Sequence, residues 1–115
     1  MKPEEQLQAA VADLLRWRRD LWWTHPANEG VRHPAVAQKL KRLGMRPGAP
    51  DILGVRNGRL FAVELKAGRN TASEAQRQCL EDIARFGGAA GIARTPEEVM
   101  RIIAQTEDPH VEPTP

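Results

Sequence analysis

The sequence predicts an α/β fold in which helices flank a mixed β-sheet. Three observations indicate this fold. Helical and extended patterns follow one another in the order α-β-α-ββ-α-β-α, an Asn-Gly pair joins two apolar runs, and a helical segment connects the second run to a further strand. An Asn-Gly turn makes its two strands antiparallel, whereas parallel strands need a crossover connection such as a helix. The sheet is therefore expected to be mixed and covered by helices.

The composition is that of one small domain. The chain has 115 residues, of which 41% are hydrophobic and 28% are charged, enough for a single core. We place the domain at residues 1–105 and expect the proline-rich, acidic segment 106–115 to be a disordered tail. The single cysteine, Cys79, excludes an internal disulfide, a cysteine-rich zinc site and an iron–sulfur cluster. No apolar run approaches the ~20 residues of a membrane span and no signal peptide is recognisable, so we expect a cytoplasmic protein without membrane or organic cofactor.

The N-terminal part is expected to form two helices with a short strand between them. Residues from 4 to about 19 carry apolar side chains at helical spacing, and residues 21–25 are aromatic and typical of a strand. A second helix is expected over residues 34–43, because proline is favoured in a first turn and Gly44 provides a stop. Its apolar side chains are expected to point inward. They are Val36, Leu40 and Leu43.

The central segment is predicted to be a β-hairpin. Residues 51–56 and 59–66 are extended and apolar, and the Asn-Gly pair at 57–58 is the strongest short hairpin signal, because both turn positions need positive φ. A two-residue turn also determines the register. The expected pairs are Val55 with Leu60, Leu53 with Ala62 and Asp51 with Glu64.

The C-terminal part is expected to continue the sheet. A helix with capping-box spacing begins near Thr71 or Ser73 and ends near Phe86, and the small-residue segment 89–93 reads as a buried strand. A second capping box, with proline at the first helical position, starts a last helix that ends near Gln105.

The predicted register places two carboxylates together. Asp51 and Glu64 are directly opposed, roughly 5 Å apart at Cβ, and Lys66 projects from the same face. Opposed like charges destabilise a sheet, so a positive charge is expected to offset them. Lys66 could form a structural ion pair, or a hard cation such as Mg²⁺ could bind the carboxylates. Both alternatives stay open from the spacing alone.

Two further polar residues share the inward faces of their helices. Glu4 lies on the apolar stripe of the first helix, where it could reach the edge of the core or could only favour the positive end of the helix. Gln76 lies on the inward face of the third helix, where it could complete a cap with Ser73 or could act at the site.

The charge is unevenly distributed along the chain. The net charge is +2, yet residues 16–69 contain twelve Lys and Arg residues against four acids. A basic segment suggests an anionic partner, most commonly nucleic acid, and a solvated basic face is the alternative.

The aromatic and histidine residues carry weaker signals. Core or dimer packing is expected for Trp17, Trp22 and Trp23 in preference to base stacking. For His25 and His33, contact with DNA, action at the site and a loop position without function all remain open.

A motif in the centre of the chain resembles that of PD-(D/E)XK nucleases. Pro50-Asp51 is followed after twelve residues by Glu64-Leu65-Lys66. With the flanking segments, the chain resembles the VRR-NUC (virus-type replication-repair nuclease) domain of that superfamily over roughly residues 4–100, in the stand-alone form of phages and bacteria. These segments are Pro26 to Gly30, Leu40 to Asp51, Val63 to Ala67, and Ser73 to Gln76.

The resemblance implies a restriction-endonuclease-like fold and a metal-dependent, structure-selective DNA endonuclease. Asp51 and Glu64 match the acids that bind Mg²⁺ or Mn²⁺, together with the backbone carbonyl of Leu65. Lys66 matches the catalytic lysine. The remaining site residues implied are Gln76 and an acid of the first helix, Glu4 in preference to Glu5.

The resemblance also implies a homodimer that cleaves Holliday junctions or other branched DNA during DNA repair, in a bacterial or phage-infected cell. Contacts with DNA are expected from Lys39, Lys41, Arg42, Arg46, Arg69 and Asn28. The alternatives are a non-catalytic DNA-binding module with the same fold and a flap or nicking nuclease that acts with partner proteins. A protein-interaction subunit is disfavoured by the basic segment.

Overall fold

The computed structural model describes residues 1–26 and 33–107, which form an α/β fold with the predicted order of elements. The helices are α1 (Pro3–Leu15), α2 (Pro34–Arg42), α3 (Glu74–Arg85) and α4 (Pro96–Ala104). The strands are β1 (Trp22–Thr24), β2 (Ile52–Arg56), β3 (Arg59–Leu65) and β4 (Ala89–Ala93).

The four strands form one mixed sheet in the order β1-β2-β3-β4. β2 is antiparallel to both β1 and β3, whereas β3 and β4 are parallel and are joined through α3. The mixed sheet with flanking helices confirms the predicted fold class.

The turn between β2 and β3 explains the register of the central hairpin. Asn57 and Gly58 both have positive φ, at 54° and 74°, as a turn that matches the twist of the two strands requires. The observed pairs include Val55 with Leu60 and Leu53 with Ala62, as predicted, and the ladder ends at Ile52 with Val63, one position before the expected pair of Asp51 with Glu64. This register brings the residue before β2, Asp51, to the end of β3.

The core lies between α1, α4 and one face of the sheet. Val11 and Leu15 of α1 and Val99 and Ile103 of α4 are buried against alternate residues of the central strands. The small residues of β4 allow α4 to approach closely, since a Cβ added at Gly91 would lie 2.9 Å from Ile102 Cδ1.

The other face of the sheet is only half covered. Ala62 and Glu64 of β3 are buried on the side of α3, but the part formed by β1, β2 and the start of β3 is open to solvent. The exposed fractions are 64% for Trp22, 42% for Val55 and 38% for Leu60. The expectation of a sheet covered on both faces is therefore wrong for this half.

Helix α2 differs in part from the prediction. It contains no buried residue, and the expectation of inward apolar side chains is wrong for Val36 and for Leu43 at the C-cap, which are 47% and 73% exposed, whereas Leu40 is half-buried. Of the tryptophans, Trp23 packs against the core, whereas Trp17 and Trp22 are exposed.

The ends of the domain also differ from the prediction. α1 ends at Leu15 rather than near Arg19. Thr106, placed in the tail from the sequence, is buried, and its carbonyl accepts a hydrogen bond from Asn57 Nδ2 at 3.0 Å.

Within residues 1–26 and 33–107, no helix combines the length and hydropathy that a bilayer crossing needs.

Candidate active site

The predicted site residues lie around a cleft at the open end of the β2–β3 hairpin. A cavity of about 360 Å³ lies between the sheet, the start of α3 and the loop before β2. A neighbouring cavity of about 420 Å³ runs along α1 and shares two residues, Glu4 and Asp51, with the first. We call the first the inner cavity and the second the outer cavity. Lys66 and Glu64 line the inner cavity. The structure therefore brings together the acids and the lysine that the spacing predicted.

Asp51 is oriented by the end of strand β3. It follows the buried Pro50 and directly precedes β2, and its Oδ2 accepts a hydrogen bond from the Leu65 backbone N–H at 2.8 Å. This bond directs the carboxylate of Asp51 toward Glu64, the residue before Leu65 in β3.

Glu64 is an unusually buried acid. Its exposed fraction is 3%, because β3 is a central strand and its site face lies under α3. Its Oε1 accepts a hydrogen bond from Gln76 Nε2 at 3.2 Å and lies 3.9 Å from Lys66 Nζ. No donor among the described residues reaches its buried Oε2. A buried carboxylate oxygen without a donor is costly unless it holds a proton or contacts a cation.

The environment of Glu64 favours its neutral form. Burial raises the pKa of Glu64 to about 9, and a hydrogen bond with Asp51 and the charge of Asp51 act in the same direction. Lys66 opposes the rise in pKa, whereas Glu4 adds to it. Two carboxyl groups can share a hydrogen bond only when one of them is protonated. A cation bound at the two carboxyl groups would lower the pKa of Glu64 again, because a nearby positive charge favours the carboxylate.

Gln76 acts both in a helix cap and in the cleft. Its side-chain Oε1 accepts from the Ser73 backbone N–H at 2.8 Å, while the Gln76 backbone N–H donates to Ser73 Oγ at 3.1 Å. Because the cap uses the oxygen end of the amide, the nitrogen end is directed to Glu64. Gln76 therefore closes the cap with Ser73 and also contacts Glu64 in the cleft.

The two acids at the start of α1 occupy different surroundings. Glu4 is half-buried and lines both cavities, whereas Glu5 is exposed and lines only the outer one. Glu4 Oε1 accepts a hydrogen bond from Asn70 Nδ2 at 3.2 Å.

Asn70, which donates the hydrogen bond to Glu4, is a contact that the sequence did not predict. It closes a turn whose backbone bond runs from Asn70 N–H to the Ala67 carbonyl, directly after Lys66. Arg94 fixes the same turn by donating to the Gly68 carbonyl at 2.8 Å. The only local signal is the glycine in this turn, where φ is 57°.

The donor set fits a hard divalent cation at Asp51 and Glu64. Both are carboxylates, and the buried Glu64 Oε2 lacks a partner among the described residues, which suits Mg²⁺ or Mn²⁺. In the described part of the chain, no three acidic, histidine or cysteine side chains converge as a ready-made metal site. Glu4 contacts Asn70 instead.

The predicted DNA-contacting residues that the structure describes are exposed cations, and one of them lines the inner cavity. Lys39, Lys41 and Arg42 are exposed on α2, and Ala37 of the same helix lines the inner cavity. Arg46 is exposed and lines that cavity too.

The turn after Lys66 carries another of these cations, Arg69, which is exposed. Within residues 1–26 and 33–107, none of these five cationic side chains forms an ion pair. Asn28 lies outside the described residues.

Two solved structures with nuclease names share this α/β fold. The first is a VRR_NUC domain protein, with a TM-score of 0.71 and 23% identity over 92% of this chain and 88% of that chain. The second is Hjc from Archaeoglobus fulgidus, a Holliday junction resolvase from an archaeal hyperthermophile. Its TM-score is 0.51, with 21% identity over 79% of this chain and 67% of that chain. No protein-family model and no curated protein matches the sequence. The likeness confirms at the level of the fold the resemblance that the motifs indicated.

Proposed function

We propose that this chain is a metal-dependent DNA endonuclease. The observation that carries the proposal is the pair of the half-buried Asp51 and the buried Glu64, in which Glu64 Oε2 has no donor among the described residues and Lys66 Nζ lies 3.9 Å from Glu64 Oε1. A pure binding module has no need of two opposed acids in a cleft, because such a pair is destabilising without a cation. The nuclease names of the two structural neighbours agree with this interpretation.

The residues of the cleft divide the chemistry between them. Asp51 and Glu64 would hold Mg²⁺ or Mn²⁺, with Glu4 and the Leu65 carbonyl as further candidate ligands. Such an ion lowers the pKa of bound water and offsets charge on the phosphoryl group.

The ammonium group of Lys66 lies 3.9 Å from Glu64 Oε1, and it would orient the nucleophile or stabilise the developing negative charge. Gln76 keeps Glu64 oriented through its amide.

The proposed substrate is branched DNA, with a Holliday junction cut by a homodimer as the favoured case. Exposed cations on α2 and in the turn after Lys66 contact phosphates rather than bases, and phosphate contacts carry no sequence information. We therefore propose that the chain recognises the shape of the DNA rather than its sequence. The name of Hjc supports the junction as the first substrate to test.

A cleavage assay tests the proposal. The purified chain is incubated with labelled four-way junctions, flaps and linear duplex, in Mg²⁺, Mn²⁺ or EDTA. We expect cleavage of branched DNA that needs metal and is lost in Asp51→Asn and Lys66→Ala. Asp13→Asn is the matched control, because Asp13 is an exposed acid whose contact is a surface ion pair with Arg16.

The outcomes separate the alternatives. Binding of DNA without cleavage under every metal condition would leave a non-catalytic DNA-binding module. Cleavage that survives Asp51→Asn would show that the active site lies elsewhere. Cleavage of flaps or single strands, with junctions untouched, would favour a flap or nicking nuclease.

A further inference from the structure

We propose that His25 is a positioning residue for Asp51, acting through the main chain of Asp51 from the end of strand β1. The inference deepens the proposed function and rests on it, because it assigns a residue that orients a proposed metal ligand. The ring nitrogen of His25 that makes the contact is Nδ1.

The contact begins where the β1–β2 ladder ends. The last pair of that ladder is Thr24 with Leu53, and the chain continues into His25 on one side and back to Asp51 on the other. His25 Nδ1 lies 2.5 Å from the Asp51 carbonyl oxygen. The imidazole thus supplies a hydrogen bond beyond the end of the ladder.

The chemistry of the contact determines the state of the ring. A carbonyl oxygen only accepts hydrogen bonds, so Nδ1 carries the hydrogen and donates it. This holds for the neutral ring and for the charged ring alike. The contact therefore needs only Nδ1, and Nε2 takes no part in it.

With this contact, Asp51 is attached at both ends. Its carbonyl accepts from His25, and its carboxylate Oδ2 accepts from the Leu65 N–H at 2.8 Å. Asp51 has a short side chain with few rotamers, so anchoring both the peptide and the carboxylate leaves little freedom in the direction of the second oxygen. Loss of the His25 anchor would allow the Asp51 peptide to move and weaken the bond to Leu65.

A direct role of the ring is the competing explanation. His25 also lines the outer cavity together with Glu4, Glu5 and Lys2. There Nε2 could touch DNA or a cation, and such a role would depend on the other nitrogen of the ring.

Two amide substitutions separate the two nitrogens. The amide nitrogen of asparagine lies near the position of Nδ1, whereas that of glutamine reaches the position of Nε2. His25→Asn should therefore keep the bond to Asp51, and His25→Gln and His25→Ala should lose it. His33→Asn is the matched control, because it replaces a histidine at the N-cap of α2 with another good cap residue.

The first measurement is made on the metal-free protein. Hydrogen exchange of the Leu65 amide, followed by NMR, reports the bond to Asp51 Oδ2. We expect exchange at the wild-type rate in His25→Asn and in the control, and faster exchange in His25→Gln and His25→Ala. Asparagine and glutamine differ by one methylene group, so we expect the two amide variants to have similar stability. Their comparison therefore stays informative if His25→Ala unfolds.

The second measurement is the affinity for Mn²⁺, together with kcat and KM for a four-way junction. Loss of a residue that orients a ligand typically costs about 10- to 100-fold in metal affinity or activity. We expect a loss of this size in Mn²⁺ affinity and kcat for His25→Gln, with KM unchanged and with rescue in His25→Asn.

Retention in His25→Gln with loss in His25→Asn would overturn the proposal in favour of direct contact through Nε2. Wild-type behaviour of all variants, or equal loss in both amides, would overturn it as well. If the wild type neither binds Mn²⁺ nor cuts DNA, the proposed function fails, while the exchange of the Leu65 amide still decides whether His25 orients Asp51.

Discussion

The amide of Gln76 links the start of helix α3 to the buried acid of the cleft. Its oxygen accepts from Ser73 N–H and its nitrogen donates to Glu64, at 2.8 and 3.2 Å. An amide that uses both ends cannot flip without losing both bonds. The capping box therefore orients a group in the candidate active site as well as stabilising the helix.

Ser73 and Gln76 allow these two effects to be measured separately. Ser73→Ala removes the Oγ acceptor of the cap, and we expect it to lower stability by about 1 kcal/mol without changing Mn²⁺ affinity. Gln76→Met fills similar space but removes both bonds, so we expect a loss of stability together with weaker Mn²⁺ binding and slower cleavage. Urea unfolding and calorimetric titration check the two variants. An equal loss of metal affinity in both would contradict the separation.

The raised pKa of Glu64 makes the stability of the metal-free protein depend on pH. The pKa is about 9 in the fold against 4.5 for the ordinary side chain, so between these values the folded state binds more protons than the unfolded state. Stability therefore falls as the pH rises through this window and is fully retained only below it.

Glu64→Gln should remove this pH dependence. The amide is neutral at every pH, so we expect the metal-free variant to melt several degrees above the wild type at pH 8 and to show little difference at pH 4.5. It should also lose the rise in melting temperature that Mn²⁺ gives the wild type. Thermal unfolding between pH 4.5 and 9 is the measurement. Glu81→Gln, at an exposed position of α3, is the control, and a variant as pH-dependent as the wild type would contradict the shift.

At the residue scale, the sequence predicts a contact when a local feature, such as a turn or a helix cap, determines it. The Asn57-Gly58 turn sets the register that brings Asp51 to the end of β3, and the motif spacing then identifies Glu64. The bond between Asn70 and Glu4 joins residues 66 positions apart, and no turn or cap determines it. It depends on where α1 lies against the turn after Lys66, which only the packed structure shows.

At the scale of secondary structure, the sequence likewise predicts some features of the helices and misses others. The caps of α3 and α4 lie where Ser and Thr precede the pattern, as predicted. The end of α1 carries no glycine or proline, so its boundary was placed too late. An amphipathic pattern predicts that α2 has an apolar face, but it does not show whether another element covers that face.

The position of α2 leads to a prediction about its charges. Its exposed cations lie on the helix that borders the inner cavity. We expect Lys39→Ala with Lys41→Ala to weaken binding to junction DNA. The slope of log affinity against log salt should fall by about 2 in magnitude, because each lost phosphate contact removes ~0.9. Cleavage at saturating DNA should be unchanged.

A second pair of substitutions removes the same number of charges elsewhere. Arg85 and Arg101 are exposed on α3 and α4, so Arg85→Ala with Arg101→Ala should leave the salt slope as in the wild type. Fluorescence anisotropy at several salt concentrations measures both. Equal slopes for the two double variants would contradict a DNA-contacting role of α2.

At the scale of the whole molecule, the part of one copy that the structure describes contains the candidate cleft and an incompletely covered sheet. A symmetric cut of a four-way junction needs two clefts, and a 12.8 kDa domain has little surface for both a cleft and a wide DNA footprint. The apolar side chains on the open half of the sheet, Trp22, Val55 and Leu60, are well placed to pack against a second copy.

Sedimentation equilibrium tests this assembly. We expect a mass of twice 12.8 kDa for the wild type and a monomer for Val55→Glu with Leu60→Glu, because two opposed charged pairs would have to be buried across a two-fold axis. Leu14→Glu is the control, since Leu14 is an apolar residue of α1 with 49% exposure that lies away from this sheet face. The monomeric variant should keep Mn²⁺ affinity but lose paired cuts in a junction, because each copy would retain its own cleft. A wild-type monomer on junction DNA, or a dimer that survives both substitutions, would contradict the open sheet as the interface.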